Sequence, residues 1–353
     1  MTVLLIAGGT GGHVIPALAF GAWLRTRGEK VRYVCGTRLL EQEIYREHGV
    51  NPVILPVQGS PLGTKKPGDI LTRTAGLIRA LAQMRDLIHR ERPRAVVLFG
   101  GYLSLPALIA ARCMGVPAVI HEQNAVAGRV TRLAGLLSVP VATGWGFCRG
   151  VRGVYTGIPV RSFRSLSRDD ALKELGLCRW SRGIRPIVVV LGGSLGSSFL
   201  SKSISIASSM VKSVGCCFLC IGSSSETSTD TVVSLPPQWD MSPVYAVADL
   251  VICRGGGATL AELRSQGIPA IIAPWEGATQ EHQKANATCF IRETGLGRLW
   301  SPSTGGAGLA NLVDQTLSSV SRYRKGRGTS PSASLWLLIC SHVMKGESGI
   351  GVI

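Results

Sequence analysis

Runs of Val, Ile and Leu recur along the chain and alternate with helix-length segments of mixed polarity. The clearest runs lie at Val3 to Ala7, Arg94 to Phe99, Ile187 to Leu191 and Asp249 to Arg254. Continuous apolar runs of this length are typical of strands buried on both faces of a parallel sheet. The pattern therefore predicts an α/β protein.

The two halves of the chain repeat the same order of elements. In each half an apolar run leads into paired glycines, and a later run is followed by glycines, a helix-length stretch and a Gly-x-Pro segment. This order predicts two doubly wound domains, in which ligands bind outside the carboxyl ends of the strands. We expect domains at residues 1–158 and 159–325, an active site in the cleft between them, and an atypical tail at residues 326–353.

Length and charge narrow the class of protein. The longest apolar runs fall short of the roughly 18–20 residues that span a bilayer, and the start of the chain does not resemble a signal peptide, so we expect a cytoplasmic protein. The formal net charge is +17, and residues 1–158 carry 19 Lys and Arg against 8 Asp and Glu. An anionic partner is thus expected at the first half, but the low aromatic content of 6% argues against nucleic acid.

Glycine clusters follow the predicted strands in both halves. Such loops direct backbone N–H groups and a helix N-terminus toward an anion. A dinucleotide fingerprint would need glycine where Val14 stands and an acidic residue after the strand Lys30 to Gly36, and no P-loop sequence occurs. The loops predict phosphate or pyrophosphate binding, with tight packing turns as the alternative. The absence of HExxH and Asp-x-Asp predicts no metal and no cofactor.

Two side chains beside these loops are candidates for chemistry. His13 follows Gly12 at the start of the first predicted helix, where it could act as a general base or bond the backbone. Glu262 lies in the first turns of the helix after Gly255, where a carboxylate could bind vicinal sugar hydroxyls or stabilise the helix. The cluster His121 to Asn124 also ends a predicted strand.

An amphipathic stretch between Ile70 and Arg94 combines apolar residues at helical spacing with interleaved arginines. This pattern is typical of a helix that packs on a core with a basic solvated face, and it also occurs in helices that bind anionic membranes. The candidate docking residues are Leu71, Leu77, Ile78 and Leu81.

Seven ordered motifs point to a known family. They are Gly8-Gly9-Thr10-Gly11-Gly12-His13, Gly100-Gly101-Tyr102, His121-Glu122-Gln123-Asn124, Gly157-Ile158-Pro159-Val160-Arg161, Gly192-Gly193-Ser194-Leu195-Gly196, Cys253-Arg254-Gly255-Gly256-Gly257-Ala258-Thr259-Leu260-Ala261-Glu262 and His282-Gln283-Lys284-Ala285-Asn286-Ala287. Over about residues 1–315 the chain resembles the bacterial cell-wall N-acetylglucosaminyltransferases that convert lipid I to lipid II, the MurG family of GT-B glycosyltransferases.

The resemblance implies inverting, metal-independent transfer of N-acetylglucosamine from UDP-N-acetylglucosamine to the C4 hydroxyl of lipid I, in cell-wall biogenesis, at the cytoplasmic face of an anionic inner membrane. It implies that His13 assists removal of the acceptor proton. It also implies a set of donor-binding residues: Thr10, Gly11, Gly12, Asn124, Arg161, Ser194, Ala258, Thr259, Leu260, Glu262 and Gln283.

Two segments depart from the family pattern. Pro237 to Met241 replaces the segment whose backbone contacts uracil, and the closing C-terminal helix is not evident after about residue 325. The alternatives are a GT-B transferase with another lipid acceptor, a UDP-N-acetylglucosamine 2-epimerase, and a nonenzymatic basic binding module.

Overall fold

The computed structural model describes residues 2–57, 59, 66–182, 185–192, 198–211, 215–222, 229–274, 280–319 and 330–348. The chain forms two compact units. Unit 1 comprises Met1–Arg161 with Gly328–Ile353, and unit 2 comprises Ser162–Arg327.

Unit 1 contains a parallel sheet of seven strands among the described residues, in the order β3-β2-β1-β4-β5-β6-β7. Its strands are β1 (Thr2–Ile6), β2 (Lys30–Cys35), β3 (Val53–Ile54), β4 (Ala95–Leu98), β5 (Ala118–Glu122), β6 (Val141–Thr143) and β7 (Val154–Tyr155). The central strands β1 and β4 pair in register from Val3 with Ala95 to Ile6 with Leu98. Their side chains are almost fully buried, as the continuous apolar runs predicted.

The helices of unit 1 cover this sheet. They are α1 (Gly11–Arg25), α2 (Leu39–Glu47), α3 (Pro67–Glu91), α4 (Ser104–Cys113), α5 (Arg129–Leu136) and, from the C-terminal part of the chain, α12 (Pro331–Ser348). One apolar core joins the sheet to α3 and α4 through residues such as Leu4, Met84 and Leu108.

Unit 2 repeats the arrangement with a six-stranded parallel sheet in the described residues, in the order β10-β9-β8-β11-β12-β13. Its strands are β8 (Ile187–Leu191), β9 (Cys217–Ile221), β10 (Val232–Leu235), β11 (Leu250–Cys253), β12 (Ala270–Ile272) and β13 (Gly297–Leu299). Its helices are α6 (Arg168–Glu174), α7 (Ser198–Met210), α8 (Ser242–Val247), α9 (Gly257–Gln266), α10 (Gln280–Thr294) and α11 (Gly305–Ser319), with short 3-10 turns at Cys178–Arg182 and Pro302–Thr304.

The limits of the two units differ from those expected from the sequence. Unit 1 extends to Arg161, beyond the expected boundary at residue 158. The expected tail contains α12, whose Leu335, Ile339 and Val343 are buried at four-residue intervals and whose helix contacts α1. This apolar stripe explains why residues 331–348 pack as a helix of unit 1.

The expected position of the glycine clusters is confirmed where the structure describes them. Gly8 and Gly9 follow β1, Gly100 and Gly101 follow β4, and Gly255 follows β11. Because all strands in each sheet run parallel, these loops collect at one edge of their own sheet. Each unit therefore presents candidate ligand-binding groups at its strand ends.

Candidate active site

Glu41 fixes the first glycine loop of unit 1. Its fully buried carboxylate accepts hydrogen bonds from Gly9 N at 2.6 Å, Gly36 N at 2.8 Å and the Tyr102 hydroxyl at 2.6 Å. These donors belong to the loops after β1, β2 and β4. Burial, followed by the hydrogen bond to Glu41, raises the pKa of Tyr102, so its hydroxyl stays a donor at neutral pH. Glu41 thus holds three loops together.

The imidazole of His13 lies against the loop after β4. A Cβ atom at Gly100 would stand 3.1 Å from His13 Cε1, and Gly100 and Gly101 have φ angles of +83° and +78°. Glycine is favoured here both by its access to positive φ and by the missing side chain. The loop therefore accommodates a half-buried histidine ring at the start of α1.

A chain of hydrogen bonds leads from His13 into the interior of unit 1. His13 Nδ1 lies 2.8 Å from Gln123 Oε1, and Gln123 Nε2 lies 3.0 Å from His121 Nδ1. His121 Nε2 in turn lies 2.8 Å from the carbonyl oxygen of Gly157. Burial lowers the pKa of His121 to about 4, so the ring is neutral at physiological pH. The structure thus connects His13 to two residues of the cluster that ends β5.

Glu122 serves the local structure rather than a ligand. Its Oε1 accepts from Asn124 N and Asn124 Nδ2, and its Oε2 accepts from Gly128 N at 2.9 Å and the Thr131 hydroxyl at 2.6 Å. These four bonds satisfy a carboxylate that is almost fully buried. Asn124 is held in place beside the strand end and is more exposed than His121, Glu122 and Gln123.

In unit 2 the candidate residue Glu262 lies on α9, the helix that follows β11. Its side chain is largely buried, and Oε2 accepts a hydrogen bond from the Tyr245 hydroxyl at 2.7 Å. The Tyr245 ring packs edge to face against Phe163, with centroids 5.3 Å apart. Tyr245 therefore orients the carboxylate that the sequence singled out.

The α9 loop packs closely against α10. A Cβ atom at Gly255 would collide with the backbone carbonyl oxygen of Gln283, so only glycine fits there. Asn286 Nδ2 donates to Gly255 O at 2.9 Å from a fully buried position. The half-buried Gln283 is thereby placed beside Gly255, in the loop that precedes α9. Ala258 and Thr259, in the first turn of α9, are also half-buried.

The remaining predicted donor-binding residues differ in where the structure places them. Thr10, Gly11 and Gly12 lie at the accessible start of α1, and Arg161 is the last residue of the first segment of unit 1. Ser194 lies outside the described residues. The Leu260 side chain is fully buried and its N–H donates to Gly256 O, so neither its side chain nor its N–H is open to the donor.

The predicted docking stripe splits across two faces of α3. Leu77 and Leu81 are partly buried and pack on the unit 1 core, because helical periodicity places them beside Ala80, Met84 and Leu87. They are therefore poor docking residues, contrary to the expectation. Leu71 and Ile78 are 74% and 66% exposed.

Sequence reasoning missed Glu41 and Tyr245 as residues that hold the site. A glutamate soon after the second strand was a signal for Glu41, but its partners lie 32 and 61 positions away. The part of the chain that the structure describes contains no group of three or more side chains placed to hold a metal ion. None of its helices combines the length and apolarity needed to cross a membrane.

Two doubly wound units with polar groups at the strand ends define the GT-B class of glycosyltransferases, which confirms the expected fold. Family models of the glycosyltransferase family 28 N-terminal and C-terminal domains match residues 3–137 and 187–319. The chain belongs to glycosyltransferase family 28.

Curated relatives specify the branch of this family. The chain is 33% identical to an Ectopseudomonas mendocina protein named UDP-N-acetylglucosamine--N-acetylmuramyl-(pentapeptide) pyrophosphoryl-undecaprenol N-acetylglucosamine transferase, over 98% of this chain and 99% of the relative. A Pseudomonas putida KT2440 protein of the same name is 34% identical, with 98% of each chain covered. The chain is thus an enzyme of the N-acetylglucosaminyltransferase group, and the resemblance seen in its motifs is confirmed.

Solved structures agree with this placement. The crystal structure of Acinetobacter baumannii MurG matches with a TM-score of 0.69 at 25% identity, covering 96% of this chain and 99% of that one. A putative UDP-N-acetylglucosamine 2-epimerase from Listeria monocytogenes matches with a TM-score of 0.63 at 13% identity, covering 98% and 97%. The second likeness is one of fold alone.

Proposed function

We propose that this protein transfers N-acetylglucosamine from UDP-N-acetylglucosamine to lipid I, forming lipid II in peptidoglycan synthesis with inversion at the transferred sugar. The family membership and the near full-length relatives support this choice of donor and acceptor. The structural observation that carries this proposal is the position of Glu262. It lies on α9, which begins directly after a glycine loop, and the Tyr245 hydroxyl orients its carboxylate.

Unit 2 supplies the donor site in this proposal. Glu262 binds the ribose hydroxyls, and the start of α9 at Ala258 and Thr259 receives the diphosphate. Unsatisfied N–H groups and the macrodipole at a helix N-terminus stabilise negative charge without a cation. Charge that develops on departing UDP is stabilised in the same way. Gln283 lies beside this helix end and contacts the sugar.

Unit 1 supplies the acceptor side and the base. The glycine loops after β1 and β4 bind the acceptor diphosphate, in the half of the chain with the larger cationic surplus. The acceptor C4 oxygen attacks C1 of N-acetylglucosamine as the bond from C1 to the β-phosphate oxygen breaks. The electron pair of that bond leaves with UDP, and the hydroxyl proton passes to His13.

We also propose that unit 1 docks on the anionic cytoplasmic face of the membrane through α3. Leu71, Ile78 and Arg85 recur every seven residues and are exposed, so they share one face with apolar and cationic character. Apolar side chains enter the headgroup region while arginines attract anionic lipids.

The activity is tested by UDP release from UDP-N-acetylglucosamine in EDTA, with and without a soluble lipid I analogue. We expect release only with the analogue, at the same rate with and without EDTA. Acceptor-independent release or formation of the 2-epimer would contradict the proposal.

Membrane docking is tested with a Leu71→Glu, Ile78→Glu double variant on vesicles that contain anionic lipid. We expect binding to fall about tenfold or more, while turnover on the soluble acceptor stays within about twofold. Leu337→Glu, at a 65% exposed leucine on α12, is the matched control. Unchanged vesicle binding by the double variant would reject this surface.

A further inference from the structure

The orientation of the Gln123 side chain follows from its neighbours. Gln123 Nε2 lies 2.9 Å from the backbone oxygen of its neighbour His121, and a carbonyl oxygen only accepts hydrogen bonds. The amide nitrogen must therefore face this oxygen, which leaves Oε1 directed at His13. The reverse orientation would bring two oxygens within 2.9 Å of one another.

Further contacts hold Gln123 in this place. It is almost fully buried, and its backbone oxygen accepts a hydrogen bond from the Trp145 indole at 3.0 Å. The second amide hydrogen of Gln123 points to His121 Nδ1 at 3.0 Å. That nitrogen can accept because His121 Nε2 carries the ring proton and donates it to Gly157 O at 2.8 Å.

This arrangement determines which nitrogen of His13 carries the proton. Gln123 Oε1 is an acceptor, so His13 Nδ1, which lies 2.8 Å away, must be the donor. In the neutral imidazole the lone pair then resides on Nε2. We propose that Gln123 is a positioning residue that fixes His13 in the Nδ1–H tautomer and so leaves Nε2 to accept the proton of the acceptor hydroxyl.

The inference deepens the proposed function, since it rests on His13 acting as the base. The neutral His121 ring is part of the same device. A proton on His121 Nδ1 would face the amide hydrogen of Gln123, so a charged His121 would disrupt the orientation that Gln123 needs. Buried His121 and Gln123 thus form a chain of hydrogen bonds from Gly157 O to His13 Nδ1 in which each donor and each acceptor is fixed.

The tautomer can be read directly in the wild-type protein. The chain has six histidines, so selective ¹⁵N-histidine labelling with proton–nitrogen correlation spectra gives few ring signals. The spectrum of His13→Ala assigns the His13 signals by their loss. We expect a protonated Nδ1 and an unprotonated Nε2 on neutral His13, and the opposite pattern would overturn the proposal.

Two variants test the role of Gln123. Gln123→Met removes the acceptor but keeps the length of the side chain, so we expect His13 to lose its preference for Nδ1–H and kcat to fall about 10- to 100-fold. The KM for UDP-N-acetylglucosamine should stay within about twofold. Gln123→Glu keeps an acceptor toward His13 but places a second oxygen where Nε2 faces His121 O, so we expect it to retain the Nδ1–H signal of His13 and to lower the stability of unit 1.

Retention of the Nδ1–H signal in Gln123→Met would show that Gln123 does not set the tautomer. A changed tautomer with unchanged kcat would show that the tautomer does not matter to the reaction, and either result overturns the inference. Failure of the proposed base is distinguishable, because His13→Ala would then keep near-normal turnover while the wild-type tautomer signal stands.

Discussion

The two units share one topology but fix their glycine loops by different means. One such loop follows β1 in unit 1, and another follows β11 in unit 2. In unit 1 the carboxylate of Glu41 comes from α2 and binds the backbone N–H groups of Gly9 and Gly36. In unit 2 the carboxylate of Glu262 belongs to the helix that follows the loop and meets the Tyr245 hydroxyl. A buried glutamate near a glycine loop therefore has two different uses in one chain.

This difference suggests a division of labour. In unit 1 the loops themselves donate hydrogen bonds to the Glu41 carboxylate. The loops are thereby fixed and form a platform for the His13 ring. In unit 2 the loop is fixed by close backbone packing of Gly255 on α10, and we propose that the Glu262 carboxylate serves the donor nucleotide.

The largest expected effect concerns the pH dependence of unit 1. Burial lowers the pKa of His121 to about 4, so the unfolded chain binds more protons between pH 4 and about 6.5. Stability should therefore fall as pH drops through this window, by up to about 3 kcal/mol. Denaturant unfolding of the wild type and of His121→Gln measures the difference.

In His121→Gln this part of the slope should vanish, while other titrating groups contribute equally to both proteins. Glu122 favours the charged form of His121 and His13 disfavours it, but burial outweighs both. Equal slopes in the two proteins would show that His121 does not remain neutral in the fold.

Next in size is the Glu41 clamp. Glu41→Gln places an amide group where the carboxylate accepts three hydrogen bonds, so at least one donor loses its partner. We expect a loss of about 1–3 kcal/mol in the free energy of unfolding and a higher KM for the lipid acceptor. Glu43→Gln, on the exposed side of the same helix, is the control. A wild-type acceptor KM in Glu41→Gln would argue against a platform role.

The smallest effect is expected at Tyr245 in unit 2. Tyr245→Phe removes the hydroxyl that orients Glu262, at a cost of about 0.5–1.5 kcal/mol, or roughly 2- to 12-fold in donor affinity. The KM for UDP-N-acetylglucosamine should rise and the acceptor KM should not. A rise in the acceptor KM alone would reverse the proposed roles of the units.

The architecture could be predicted from the sequence because the patterns that indicate strands and strand ends are local. Runs such as Ile187 to Leu191 predict buried parallel strands, and the glycine motifs mark the strand ends. The burial of Leu77 and the helix at Pro331–Ser348 depend on which neighbour covers a given face, so they needed the tertiary structure.

The side-chain network of the site was less predictable for the same reason. Gln123 stands in a motif that the sequence singled out, yet its link to His13 joins positions 110 residues apart. Leu260 looked like a ligand contact by its place in a motif, but the helix turns it into the core. Motifs identify the right segments, and packing decides which of their residues face a ligand.

The most direct test of the division of labour is equilibrium binding of UDP-N-acetylglucosamine to His13→Ala and Glu262→Gln, with turnover measured on the same samples. We predict that His13→Ala binds the donor within about twofold of wild type and loses about 100-fold or more in kcat. Glu262→Gln should weaken donor binding by about 10- to 100-fold. Wild-type donor binding by Glu262→Gln, or near-normal turnover by His13→Ala, would contradict the account.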